Sequence, residues 1–229
     1  MKLILLPNLL NEESSHELFL PPIVKEAMAG IQGIFAESEK EARRYLKRFL
    51  PHFREIPIKL LNEHTQKNAL KELLAPVLNK QTWGIISDAG LPCLADPGHQ
   101  LVALAHSYGI EVEAFLGPSS LILGLMLSGL PAQRFAFHGY LPQQECDLKT
   151  QLRKLEQQED TTQLFIETPY RNQKMLETLL TTLKDKTTLC VAWDLTMPSQ
   201  QVVSQPVSTW KKMTLPQIHK KPAVFVFKG

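Results

Sequence analysis

The chain is poor in the features that mark several large classes of protein. Its 229 residues include three cysteines, at positions 93, 146 and 190, and no C-x-x-C pair. Neither a disulfide framework nor a structural zinc site is therefore expected, and isolated thiols are typical of a reducing compartment, which predicts a cytoplasmic protein. No apolar run reaches the roughly 18 residues of a membrane span, because the longest, 121–130, contains two glycines and a serine. The opening residues 1–7 hold a short apolar run closed by Pro7, which predicts a first strand rather than a leader.

Signatures of several common chemistries are also missing. No G-x-G occurs, which excludes the dinucleotide fingerprint and the glycine loop of Rossmann-type methyltransferases. The chain contains no phosphate-loop motif, no H-E-x-x-H and no G-x-S-x-G. Its seven histidines lack metal-ligand spacing, so no metal site is predicted. A formal net charge of +2 gives no general sign of a nucleic-acid partner.

What the sequence does contain is a regular alternation of apolar strand-like runs and helical segments. In the first half, strands are predicted at 2–6, 33–36, 56–61, 83–87 and 111–115, with helices at 21–29, 39–50, 65–78 and 98–108, the third helix capped by Thr65. Strands separated by crossover helices favour a mainly parallel sheet.

The second half has a different pattern, with strand signals closer together. It is predicted to start with a buried helix at 121–130, to hold helices at 145–157 and 170–183, and to form strands at 134–139, 163–167, 188–193, 201–204 and 223–227. We therefore predict an α/β protein of two domains, 1–116 and 117–229. The first has a mainly parallel sheet, the second a mixed sheet, and a cleft lies between them.

Three loops follow predicted strands, where open α/β sheets bind ligands. They are Ser-Asp-Ala-Gly-Leu-Pro at 87–92, continued by Asp-Pro-Gly at 96–98, then Leu-Gly-Pro-Ser-Ser at 116–120, and Glu-Thr-Pro-Tyr-Arg at 167–171. Gly90 can bring a ligand close to the main chain, and a helix that starts at 119–120 would offer free N–H groups to a carboxylate. Asp96, Ser119 and Thr168 are equally typical of ordinary helix caps, which is the competing interpretation.

Taken in order, these loops resemble the class III methyltransferases, the tetrapyrrole methylase superfamily, and within it the branch of ribosomal RNA 2′-O-methyltransferases. Further matching segments are Ser-Gly-Leu-Pro at 128–131, Gly-Tyr-Leu-Pro at 139–142 and Asp-Leu-Thr at 194–196. The resemblance spans nearly the whole chain and implies a homodimer whose subunits bind S-adenosylmethionine in the interdomain cleft. By position, the resemblance implies cofactor contacts from Leu9, Asp88, Ala89, Gly90, Leu91, Ser119, Ser120, Ile166, Ala192, Pro222 and Ala223.

Two segments depart from the family pattern. The RNA-modifying branch carries Glu-Asp-Thr-Arg-His after its second strand, where this chain has Glu-Ser-Glu-Lys-Glu at 37–41. The first loop has Pro-Asn-Leu-Leu-Asn at 7–11 in place of Pro-Thr-Pro-x-Gly-Asn. The candidate catalytic residues are Glu37, His64 and the pair Glu167 and Arg171, because a hydroxyl acceptor must lose a proton during methyl transfer.

Three functions remain open at this point. The first is an RNA methyltransferase, favoured by the family branch and by basic residues between 40 and 54 and near the C-terminus, which could bind phosphates. The second is a small-molecule methyltransferase for a tetrapyrrole-like acceptor. The third is a non-catalytic S-adenosylmethionine-binding protein, which the altered first loop would suit.

Overall fold

The computed structural model describes residues 2–229, and these divide into two compact units between Ser119 and Ser120. Each unit contains one five-stranded sheet with helices packed on it. This agrees with the predicted α/β class, with one parallel and one mixed sheet. The domain limits predicted from the sequence, 1–116 and 117–229, stay a prediction, because compactness alone does not show which segment folds independently.

The sheet of the first unit is parallel throughout. Its strands are β1 (Lys2–Leu5), β2 (Gly33–Ala36), β3 (Ile58–Leu60), β4 (Thr82–Ile85) and β5 (Glu111–Ala114), in the spatial order β3-β2-β4-β1-β5. The helices are α1 (His16–Phe19), α2 (Pro22–Ala29), α3 (Glu39–Lys47), α4 (Leu70–Leu78) and α5 (His99–Ser107). β1, β2 and β4 are buried apolar runs, as strands covered by helices on both faces must be.

Apolar side chains divide the helices of this unit between the two faces of the sheet. One cluster joins α2 and α3 to the sheet through residues such as Met28, Tyr45 and Ile34. The other joins α4 and α5 to the opposite face through Leu74, Leu101 and their neighbours. The helix expected to start near Thr65 begins only at Leu70, after a 3₁₀ turn at Lys67–Ala69. The predicted cap is wrong, because the Thr65 hydroxyl accepts the Asn62 N–H at 3.0 Å in a turn of its own.

The sheet of the second unit is mixed. Its elements are α6 (Ser120–Ser128), β6 (Phe135–Tyr140), α7 (Glu145–Glu156), β7 (Thr162–Ile166), α8 (Asn172–Thr182), β8 (Thr188–Trp193), β9 (Gln201–Pro206), α9 (Val207–Trp210) and β10 (Ala223–Lys228). The spatial order is β6-β7-β10-β8-β9. β6 and β7 are parallel, whereas β10 runs antiparallel to both β7 and β8, and β9 runs antiparallel to β8.

The apolar segment 121–130, predicted to be a buried helix, forms α6 at Ser120–Ser128 but is buried along one side only. α6 packs one side on the sheet, where a Cβ on Gly124 would lie 2.9 Å from a methyl of Val224, so only glycine allows this approach. Its other side leaves Met126 70% exposed and Leu127 42% exposed. A helix without charged residues need not be buried all round, since one stripe is enough to hold it on a sheet.

Within residues 2–229, no helix has both the length and the apolar character that a membrane crossing requires.

Candidate functional site

The carboxyl edge of the parallel sheet is where a ligand site is expected in the first unit. β1 and β4 are neighbours, yet the chain leaves β1 toward α2 on one face and leaves β4 toward α5 on the other. Adjacent strands whose connections diverge leave a crevice at their carboxyl ends, and open α/β sheets bind ligands there. The loops that border this crevice are 6–11 and 86–91.

Asn8 joins these two loops into one surface. Its main-chain N–H donates to Gly90 O at 2.7 Å, and its side-chain amide donates to Ser87 O and Asp88 O, both at 3.0 Å. In return, the N–H of Gly90 donates to Leu9 O at 3.2 Å. Asn8 is only 4% exposed, so these bonds form largely out of water and hold the loops in register.

The loop after β5 completes the same surface. A Cβ on Gly117 would overlap the ring of Pro7 and approach Leu91 Cδ2 to 3.3 Å, so glycine is required for this contact. Gly90 lies beside it, because its Cβ position is 3.5 Å from Pro118 O. The two ligand loops predicted in this half of the chain therefore meet at one edge of the sheet, together with the loop that carries Leu9.

The predicted cofactor residues of this unit differ in what they present. Asp88 and Ala89 are exposed at the tip of the second loop, whereas Gly90 is buried with φ of +72°, a backbone conformation that favours glycine. Leu9 is 3% exposed, so its main chain rather than its side chain faces the loop surface. Ser119 is buried directly before α6, and Ser120 is the first residue of that helix.

A group of carboxyls surrounds the end of β2. Burial, followed by the negative charges of Asp96 and Asp88, raises the pKa of Glu37 to about 7. Its carboxylate also accepts the main-chain N–H of Asp88, which acts in the opposite direction. Burial and the charge of Asp88 raise the pKa of Asp96 to about 6. A carboxyl that titrates near neutrality can exchange a proton with a ligand at physiological pH.

Asp96 does not cap a helix, contrary to the competing interpretation of this segment. α5 begins at His99, and the residue before it is Gly98 with φ of +128° and no side-chain cap. A Cβ on Gly98 would lie 2.7 Å from the sulfur of Cys93, so the chain turns too tightly here for any larger residue. The carboxyl of Asp96 instead belongs to the acidic group beside Glu37.

His64 lies apart from the loops described so far. It follows β3, which is the edge strand of the sheet and is separated from β1 by two other strands. Its side chain is 84% exposed and lies 3.5 Å from the carboxylate of its neighbour Glu63. The structure thus brings Glu37, but not His64, to the region of Asp88.

In the second unit, three predicted cofactor residues are side by side in the sheet. Ile166 at the end of β7 and Ala192 near the end of β8 both pair with Val224, the second residue of β10. Ala223 pairs with Trp193, and Pro222 O accepts the N–H of Asp194 at 3.1 Å. Residues far apart in sequence therefore form one edge because β10 inserts between β7 and β8.

Glu167 and Arg171 form an ion pair at this edge, in which the carboxylate is buried and the guanidinium is partly exposed. Glu167 has a side chain that is 3% exposed and lies 3.3 Å from the Arg171 guanidinium, while its other oxygen accepts the Thr168 N–H at 2.7 Å. Thr168 does not cap α8, which begins at Asn172 after Arg171, so that cap prediction is wrong. The carboxylate is thus neutralised internally, as a buried charge requires.

Sequence reasoning did not single out Asn8 or Arg48, which the structure connects. The Arg48 guanidinium donates to Asn8 Oδ1 at 2.8 Å, across forty residues of sequence. The only signal for Asn8 is its position directly after the first strand, and Arg48 was one of many basic residues. The other two arginines of this segment have different partners. Arg43 donates hydrogen bonds to Phe53 O and Ile56 O, and Arg44 forms ion pairs with acidic residues.

No group of three or more histidine, cysteine, aspartate or glutamate side chains with the geometry of a metal site occurs in the part of the chain that the structure describes.

Comparison with known proteins identifies relatives across most of the chain. The model of the family described as tetrapyrrole (corrin/porphyrin) methylases matches residues 24–210. A ribosomal RNA small subunit methyltransferase I from Xylella fastidiosa is 30% identical over 187 residues, which cover 81% of this chain and 68% of that protein. The protein of the same name from Halalkalibacterium halodurans is 35% identical over 150 residues, covering 64% of this chain but only 50% of its own length.

Solved structures resemble the fold at lower identity. The methyltransferase CobJ superposes with a TM-score of 0.61 at 16% identity, covering 93% of this chain and 89% of that one. A uroporphyrin-III C-methyltransferase from Thermus thermophilus gives a TM-score of 0.53, also at 16% identity, over 99% of this chain and 91% of that one. Both likenesses concern the two-sheet architecture alone.

Proposed function

The chain belongs to the tetrapyrrole (corrin/porphyrin) methylase family and is an S-adenosylmethionine-dependent methyltransferase, and we propose that its methyl acceptor is a ribose 2′-hydroxyl of small-subunit ribosomal RNA. The observation that carries the proposal is the match of 81% of this chain to a ribosomal RNA small subunit methyltransferase I. Because the chain spans only half to two thirds of the length of several such relatives, the substrate of the whole protein is part of the proposal.

The residues of each unit suit the cofactor in chemical type. In the first unit, the main chain of Leu9, the turn formed by Asp88, Ala89, Gly90 and Leu91, and Ser119 offer carbonyl, amide and hydroxyl groups. In the second unit, Ser120, Ile166, Ala192, Pro222 and Ala223 offer main-chain groups at a sheet edge and a helix start. The observation that supports this fit is Gly90, where a side chain would fill space beside Pro118 O and Leu10. The expected cleft location of the cofactor stays a prediction.

When bound, the cofactor supplies an electrophilic methyl group on a sulfonium. The protein must then hold the acceptor oxygen in line with that carbon and provide a place for the hydroxyl proton. We assign the proton to the carboxylate of Glu37, because its pKa of about 7 leaves it partly ionised at neutral pH. His64, Glu167 and Arg171 are weaker candidates, since the first is fully solvated and the other two are paired with each other.

Two further properties are part of the proposal. The exposed apolar side of α6, with Met126 and Leu127, supports a homodimer, because large apolar patches on a protein surface mark association sites. Sedimentation velocity at two protein concentrations tests this, and a monomer at both would contradict it. The three free cysteines support a cytoplasmic location, which fractionation of cells carrying the native protein would check.

Radiolabelled methyl transfer tests the acceptor. Label should enter small ribosomal subunits, at ribose 2′-oxygens, when they are incubated with the protein and labelled S-adenosylmethionine. Label that enters only a small-molecule extract would show that the acceptor is a tetrapyrrole-like molecule rather than RNA. Label in neither fraction, with cofactor binding intact in calorimetry, would instead indicate a binding protein.

A matched pair of glycine variants tests the cofactor site. Gly90→Val and Gly109→Val place the same side chain at a positive φ, but the Cβ of Gly109 has nothing within 4 Å. Calorimetry with S-adenosylhomocysteine should show binding lost in the first variant and retained in the second. Unchanged affinity in a folded Gly90→Val protein would mean that the site lies elsewhere.

A further inference from the structure

Arg48 is a half-buried cation without a carboxylate partner. It follows the last residue of α3, and its guanidinium makes one hydrogen bond, to the neutral oxygen Asn8 Oδ1 at 2.8 Å. Among residues 2–229 no acidic group lies within ion-pair distance of it. Burial lowers the pKa of Arg48, because desolvation disfavours the charged form. A guanidinium has five N–H donors, so most of its hydrogen-bonding capacity is unused by the described chain.

Asn8, the hydrogen-bond partner of Arg48, is itself held in place and fixes the position of the guanidinium. Asn8 Oδ1 also accepts the N–H of Leu9 at 2.9 Å, while its amide nitrogen donates to Ser87 O and Asp88 O. Every hydrogen-bonding direction of this side chain is therefore committed. Since the amide cannot turn without breaking three other bonds, it holds Arg48 in one orientation before any ligand arrives.

The two residues line a recess of about 260 Å³ within the first unit. Its other walls include Leu9, Leu10, Glu12 and Asp88. Drug-sized ligands occupy pockets of about 300–1,000 Å³, so this recess suits a smaller flat group. It also adjoins the 88–91 turn proposed for the cofactor, and an acceptor must lie next to the methyl donor.

The charges around the recess narrow the ligand chemistry. Glu12 and Glu41 are both paired with Arg44, at 2.6 Å for Glu41. The carboxylate of Asp88 has no cation within ion-pair distance in the described range. An incoming phosphate would meet this unpaired carboxylate, whereas a neutral group with carbonyl oxygen and N–H on one edge could accept from Arg48 and donate to Asp88. Nucleobases carry such an edge, and enzymes that modify extruded nucleotides read it in pockets of this kind.

We propose that this recess receives the base of the nucleotide to be methylated, and that Arg48, held by Asn8, binds the acceptor edge of that base. The inference rests on the proposed function, because it names a subsite for an RNA acceptor. The amino and carboxylate groups of the cofactor could make similar hydrogen bonds in the recess. The experiment must therefore distinguish a bound base from a bound cofactor.

The test compares Arg48→Ala and Arg48→Lys with Arg54→Ala. Arg54 is an exposed arginine that follows α3, and its guanidinium lies over the Phe53 ring. Its replacement by alanine controls for the loss of one unit of charge. We expect Arg48→Ala to raise the KM for small ribosomal subunits at least tenfold and to leave the Kd for S-adenosylhomocysteine within twofold. Arg48→Lys should be intermediate, because an ammonium lacks the planar fork. Arg54→Ala removes the same charge from the basic segment 40–54, so it should raise this KM by no more than about threefold.

Three results would overturn the proposal. A weaker Kd for S-adenosylhomocysteine with an unchanged KM for RNA would assign the recess to the cofactor. Equal KM values for Arg48→Ala and Arg54→Ala would show that the loss of one positive charge explains the effect. An unchanged KM and an unchanged Kd in Arg48→Ala would show that the recess binds neither RNA nor the cofactor.

A second arm separates this inference from the proposed function. The four free nucleosides are titrated at millimolar concentration into the native protein saturated with S-adenosylhomocysteine, and binding is followed by NMR. If the native protein methylates no RNA, the proposed function fails. Nucleoside binding that Arg48→Ala abolishes would still support a base pocket, and no binding of any nucleoside would refute it.

Discussion

Replacing Asn8 by alanine is the sharpest test of how the loops at the sheet edge are held. The change removes four hydrogen bonds, with Ser87 O, Asp88 O, the N–H of Leu9 and the guanidinium of Arg48. Two of these bonds are fully buried, and the groups they leave behind cost about 1–3 kcal/mol each when water cannot reach them. The other two groups can turn to water at little cost. We therefore expect the free energy of unfolding to fall by roughly 2–6 kcal/mol.

The assay is thermal unfolding followed by circular dichroism. In a chain of this size, 1 kcal/mol shifts Tm by about 2–4 °C, so the midpoint should fall by roughly 4–24 °C. Asn68→Ala is the matched control, because Asn68 is exposed in the turn before α4. A decrease no larger than that of the control would refute the reasoning, since it would show that the bonds of Asn8 are replaced without cost.

Three further outcomes are expected. Gly117→Ala should weaken S-adenosylhomocysteine binding at least tenfold in calorimetry, because its Cβ would overlap Pro7, whereas Gly30→Ala, whose Cβ would make an ordinary 3.8 Å contact with Ala27 O, should not. Glu37 holds a proton in the folded state up to a pKa of about 7, whereas the unfolded chain releases it near 4.5, so stability falls as pH rises between these values. Glu37→Gln should flatten that slope in melting curves from pH 4 to 8, and an unchanged slope would contradict the raised pKa. Tyr45→Phe removes a buried hydroxyl that has no hydrogen-bond partner among residues 2–229. Urea unfolding should therefore show equal stability or a gain of about 1 kcal/mol, and a loss of that size would contradict this account.

Local patterns were sufficient to predict the order and type of the main elements. Short apolar runs such as 33–36 and 223–227 form strands, and the periodic segment 145–157 forms a helix that ends at Glu156. Such patterns work because a strand or helix must bury its own apolar face whatever it packs against. These patterns failed where the packing surface decides which side of an element is buried. In α6 the exposed side carries the same residue types as the buried side.

The loops of the site were predictable for a different reason. A side chain at Gly117 would overlap Pro7, and Gly90 has a positive φ that favours glycine, so these turns constrain their own sequence strongly. The residues expected at helix starts were less informative, because Asp96 and Thr168 have the chemistry of caps without acting as caps. A side chain suited to a role adopts it only if the chain delivers it to the right backbone group.

By itself, the sequence determined the α/β class, the two sheets and the two ligand loops that follow strands of the first unit. Only the tertiary structure decided that β4 lies beside β1, and hence that Asn8 reaches Ser87 and Asp88. It also decided that Arg48 has no acidic partner in the described chain, while Arg44, on the same helix, has two. Local preferences act over a few residues, whereas contacts across forty or eighty positions depend on strand order, which no single segment encodes.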